Sequence, residues 1–91
     1  MAQLTITNQD TEFLTAVILV LTELEKAEKK HPKWPKDYVK RAAIVLEEAG
    51  ELIREANLLD EGKGSLENIK TECVQTAATS LRLLKIMGGE K

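Results

Sequence analysis

The chain has 91 residues, too few for a second domain and few enough that its core is small. Its 15 acidic and 13 basic residues give a net charge of −2, which excludes both the basic footprint of a nucleic-acid binder and the polybasic patch of a membrane-surface protein. Apolar residues make up 43% of the chain, nearly all of them aliphatic, so it is globular rather than disordered, and its Ala, Leu, Glu and Lys favour helix. Cys73 is the only cysteine, which removes an intrachain disulfide and a cysteine metal cluster and leaves the expectation of a small core residue. The beginning of the sequence has no basic region followed by an apolar one, and the apolar run Leu14 to Leu21 is too short to cross a bilayer. A cytoplasmic location and no membrane partner are therefore expected.

Residues 1–9 alternate loosely, with Leu4 and Ile6 between threonines, and read as a short extended arm. A first helix is expected over about 10–30, capped by Asn8 or Asp10. Its first half, Phe13 to Leu21, is apolar on most faces, which implies cover from more than one side and, in so short a chain, from a second copy. Its second half, Glu23 to Lys30, is strongly charged and is expected to face water. The segment His31 to Asp37 reads as a loop, because Pro32 and Pro35 each push the preceding residue out of helical geometry. The chain's only histidine and only tryptophan, His31 and Trp34, sit there with Lys33 and Lys36, either closing the end of a bundle or edging a ligand site.

A second helix is expected over about 37–59. Val39, Ala42, Leu46, Ala49, Ile53 and Ala56 recur at spacings of three and four and mark its core face. Gly62 or Gly64 can end this helix, and Ser65 can cap the next, expected over about 66–87 and stopped by Gly88 and Gly89. Leu66, Ile69, Cys73, Ala77, Leu81 and Leu84 are its expected core, while Asn68, Glu72, Gln75, Thr76, Thr79 and Arg82 form a second stripe. That stripe is poor in Lys and Glu, which suits a partly buried polar surface making specific hydrogen bonds. The expected fold is an all-α antiparallel bundle of three main helices, a single domain over 1–91, completed by homo-oligomerisation.

The chemistry concentrates in Glu47-Glu48-Ala49-Gly50-Glu51. On a helical wheel Glu48 lies beside the apolar face, between Val45 and Leu52. Glu51 and Glu55 lie slightly further out, and Glu47 points about 100° away, towards solvent. Stacked carboxylates repel by about 0.2–0.5 kcal/mol per pair on an exposed helix, and a hard divalent cation with oxygen ligands relieves that repulsion. The neighbouring helix repeats the i, i+3 spacing with Glu72 and Gln75, so the two helices facing each other would form a pocket of oxygen ligands. A di-iron bundle is disfavoured, because it needs Glu-x-x-His pairs in the core and His31 is in a loop.

The E-E-x-x-E motif, the intervening residues 52–71 and the following E-x-x-Q resemble the MazG-like, all-alpha nucleoside triphosphate pyrophosphatases, a group that includes phosphoribosyl-ATP pyrophosphatase and the dimeric dUTPases. The resemblance covers about 36–87 and is carried by Ala42 to Leu52 and by Glu72-Cys73-Val74-Gln75. The family reads E-x-x-D in the second motif, so Gln75 is a departure that takes one formal charge from the site. The resemblance implies Mg²⁺, with Mn²⁺ as a substitute, held by Glu48, Glu51, Glu72 and Gln75. It further implies hydrolysis of a nucleoside triphosphate to monophosphate and pyrophosphate, with Glu47 or Glu51 orienting the water. Trp34, His31, Lys33, Thr79 and Arg82 are the expected substrate contacts, with Lys85 a further phosphate contact. Homodimers or homotetramers are the expected assembly. Two other readings remain at this stage: a nucleotide-binding but catalytically weak relative, and a helical dimerisation module whose acids are merely solvated.

Overall fold

The computed structural model describes residues 10–89, which form three α-helices and, among them, no strand. They are α1 (Thr11–Lys30), α2 (Tyr38–Asp60) and α3 (Leu66–Gly89). The arm expected over 1–9 lies outside the described residues. The expected helices differ from these only at their ends. The largest difference is α3, which runs on through Gly88 and Gly89, since glycine weakens a helix by about 1 kcal/mol but does not forbid one.

Local signals set the boundaries. Asp37 caps α2, its Oδ1 accepting from the Val39 N–H at 3.0 Å. Ser65 caps α3 in the same way, its Oγ accepting from the Asn68 N–H at 3.1 Å. Between them, Gly62 takes the left-handed conformation at φ +78°, and the Lys63 and Gly62 N–H groups donate to the last carbonyls of α2, at Leu58 and Leu59. Gly64 has a steric requirement instead: a Cβ there would stand 2.8 Å from the backbone nitrogen of Leu59.

α3 is the central element. It packs antiparallel to α2 in a hairpin and parallel to α1, whose residues 19–26 lie beside 67–74 and 23–30 beside 75–82, while α1 and α2 make no packing contact with each other. The gap between α1 and α2 is therefore a cleft with α3 as its floor. The loop 31–37 closes one end of it and is held by two buried arginines. Arg82 of α3 donates from Nη2 to the His31 carbonyl at 2.7 Å and lies over the Trp34 ring, 4.7 Å from its centroid. Arg41 of α2 donates from Nε to the Pro35 carbonyl and lies over the Tyr38 ring.

The faces that pack differ from those the periodicity indicated. On α2, Val39, Leu46 and Ile53 are 75%, 72% and 58% exposed, and the face against α3 is centred instead on Val45, Glu48 and Leu52. On α3, Leu66, Leu84 and Cys73 are exposed, so Cys73 is not a core residue, and of the two buried positions Arg82 belongs to the polar stripe and Ala78 lies beside it. The reason is geometric. α2 carries apolar residues over a wide arc, and α3 docks at one edge of it, leaving the Val39–Leu46–Ile53 edge uncovered. Of α1's apolar first half, Phe13, Ile18, Leu19 and Leu21 are exposed. Leu24 and Ala78 are the only buried apolar residues among those described.

Arg82→Ala should destabilise the chain by about 2–4 kcal/mol, since it removes a charged hydrogen bond to a carbonyl and a desolvated cation–π contact. Urea unfolding measures this, and Arg82→Lys should recover only part of the loss because an ammonium lacks the planar fork.

Candidate metal centre and cleft

The α2–α3 hairpin brings the two acid pairs together. Glu48, Glu51 and Glu72 each present a carboxylate oxygen, and the three oxygens lie within 4.8 Å of one another. Glu48 and Glu72 are half-buried and Glu51 is exposed. Gln75, one turn from Glu72, sits over the same group. With its amide oriented to satisfy both partners, its NH₂ donates to Glu72 Oε2 at 3.2 Å and to Glu48 Oε2 at 3.3 Å. A single amide thus tethers one carboxylate from each helix.

The electrostatics of the cluster follow from crowding. Burial raises the pKa of Glu48 above the ordinary carboxylate value, and the charges of Glu51, Glu47 and Glu23 raise it further. Glu72 is raised by burial, by the charge of Glu51, by a side-chain hydrogen bond with Glu51, and by Glu48 and Glu55. That hydrogen bond between two carboxyl groups requires a proton, so a metal-free cluster keeps one more readily than isolated glutamates would. The donor set is all oxygen, which fits Mg²⁺ or Mn²⁺ rather than a soft metal. Two oxygens on opposite sides of Mg²⁺ are about 4.2 Å apart, so small rotamer adjustments close the trio on one ion. Glu47 lies outside the trio and is exposed.

The cluster opens at Glu48 and Gln75 into the cleft between α1 and α2, a hollow of about 720 Å³. Of the expected substrate contacts, His31, Lys33, Trp34, Thr79 and Arg82 all line it. Trp34 has one face covered by Arg82. The Thr79 hydroxyl donates within α3 to the carbonyls of Gln75 and Thr76. Lys85 is ion-paired with Glu28 of α1 at 3.0 Å.

Sequence reasoning missed the wall that α1 supplies. Glu23, Lys26, Ala27 and Lys30 line the cleft, and Ile44 of α2 and Ala78 of α3 complete its apolar surface. The signal was present, since 23, 26, 27 and 30 follow the i, i+3, i+4, i+7 spacing of one helix face. A smaller hollow of about 270 Å³ lies beside it between α1 and α3, sharing Glu23 and Lys26. Against this geometry the comparisons with known proteins add nothing: no family model, curated protein or solved structure matches the chain.

For an acid whose native pKa is raised, the folded state holds its proton after the unfolded state has released it. Stability is then lost as pH rises from about 4.5 through the native values of Glu48 and Glu72. Without divalent metal, Glu72→Gln should therefore be more stable than the natural chain at pH 7, by about 0.2–0.5 kcal/mol per like-charge contact removed. The gain should shrink as pH falls and vanish near pH 3, well below the ordinary value of 4.5, where Glu72 is protonated in both states; urea unfolding at the two pH values measures it.

Proposed function

We propose that this chain is a Mg²⁺-dependent nucleoside triphosphate pyrophosphohydrolase of the MazG-like kind, releasing pyrophosphate and a nucleoside monophosphate. The observation that carries the reading is the convergence of Glu48, Glu51 and Glu72 where a cleft of nucleotide size begins. The E-E-x-x-E…E-x-x-Q pattern supports it independently. Glu48, Glu51 and Glu72 hold the metal, and Gln75 completes the set by turning its amide so that Oε1 replaces the NH₂. Bound there, Mg²⁺ neutralises phosphate charge and makes the α-phosphorus susceptible to water. Glu51, the most open of the three acids, orients the incoming water, and Glu47 acts on the site through its charge on Glu48. The free face of Trp34 stacks on the base.

Gln75 also favours a second reading, nucleotide binding with little turnover, because it supplies a dipole where the resembled family supplies a carboxylate.

The assembly belongs to the same proposal. Val39, Leu46 and Ile53 are seven residues apart and form one exposed stripe on α2, and α3 exposes Leu66, Leu84 and Met87. A second copy of the chain covers these stripes, since burying apolar side chains is worth about 1.5–3 kcal/mol each.

Screening pyrophosphate release across ribo- and deoxynucleoside triphosphates with Mg²⁺ tests the activity. Glu48→Gln, Glu51→Gln and Glu72→Gln should each abolish turnover and Mg²⁺ binding, while Glu47→Gln should retain binding with a smaller loss of rate. Binding with no release from any triphosphate would establish the second reading. Leu46→Glu and Ile53→Glu should each shift the chain to monomer in light scattering, and a natural chain that is monomeric at micromolar concentration would refute the assembly.

A further inference from the structure

We infer that Lys26 and Lys30 of α1, with Lys33 of the following loop, form a polyphosphate subsite that reads the length of the phosphate chain. The inference rests on the pyrophosphohydrolase reading for the identity of the substrate, and on the cleft for everything else. Two lysines outside the cleft are paired within the chain, Lys29 Nζ lying 3.0 Å from Glu25 and Lys85 Nζ 3.0 Å from Glu28. Lys26, Lys30 and Lys33 line the cleft and, among the described residues, make no ion pair and no side-chain hydrogen bond.

This arrangement is unfavourable in the empty chain. Lys26 and Lys30 are four apart on one helix face, a like-charge spacing that is destabilising. Glu23 is one turn from Lys26 and does not pair with it; its charge acts on Glu48 instead. The cleft thus has a negative end at Glu48 and a positive rim on α1 and the loop, both uncompensated. A ligand that relieves both must be anionic and must carry a chelated divalent cation at one end. Polyphosphates have that character. A single phosphate engages one end alone, whereas a triphosphate with its cation at the acid trio carries its terminal charge to the lysines. The lysines therefore favour triphosphates over shorter chains.

Titration of the full chain with inorganic tripolyphosphate, pyrophosphate and phosphate in the presence of Mg²⁺ tests this, because none of these probes contains a base or sugar. Tripolyphosphate should bind tightest. Lys26→Gln and Lys30→Gln should each weaken it about tenfold and narrow its advantage over phosphate. Lys26→Arg should retain binding, and Lys29→Gln, on the outer face, should leave it unchanged. Circular dichroism checks that the variants fold. Unchanged tripolyphosphate binding in Lys26→Gln and Lys30→Gln would overturn the subsite, as would an equal loss in Lys29→Gln. If no nucleoside triphosphate is hydrolysed but tripolyphosphate binding still depends on Lys26 and Lys30, the subsite stands and the pyrophosphohydrolase reading fails.

Discussion

An arginine with only 6% of its surface exposed cannot be left without partners, and Arg82 meets that requirement by gripping the loop between α1 and α2. It donates to the carbonyl of His31, the residue that ends α1, and lies flat against Trp34. This fixes the top of α1 to the top of α3. Arg41 does the same for the α2 side through Pro35. Since α1 and α2 make no packing contact, these two arginines and the floor of α3 determine how far apart the cleft walls stand. Two buried cations, with so little apolar burial elsewhere, make the loop the structural keystone of the cleft.

The second constraint is repulsion. Three carboxylates within 4.8 Å meet the cleft at Glu48, a pair of lysines at i, i+4 lines the same cleft, and neither group has a counter-charge paired to it within the described residues. Gln75 is the nearest thing to internal relief, a neutral group donating one hydrogen to each of two acids. An amide serves both states of such a site. Its NH₂ steadies the carboxylates when no cation is there, and its oxygen faces a cation when one is. A carboxylate at the same position would add repulsion in the first state and a stronger ligand in the second.

Much of this was legible in the sequence where a local rule decides the outcome. Two prolines mark the loop, Asp37 and Ser65 cap their helices, and the i, i+3 spacing places Glu48 with Glu51 and Glu72 with Gln75. The docking direction of α2 was not legible, because its apolar residues cover an arc wide enough for two partners and periodicity finds the centre of that arc. The contact with α3 falls at one edge of it, so Leu46 and Ile53 face outward. The α1 wall was missed for a related reason. Glu23, Lys26 and Lys30 border a cleft, and residues that border an open space have the composition of a solvated face. Only the position of α1 relative to α3 distinguishes the two cases. The polar stripe pointed to partial burial at Arg82, but its partners were not legible, since they are a backbone carbonyl and a ring fifty-one and forty-eight positions away.

Trp34 is the only tryptophan in the chain, and it lines the cleft with Arg82 against one face of its ring. Indole emission responds to the charge and wetness of its surroundings. One chromophore therefore reports on the loop, on the guanidinium beneath it and on whatever enters above it. The molecule comes with its own optical gauge, placed where the helices meet, and needs no label for its cleft to be watched in solution.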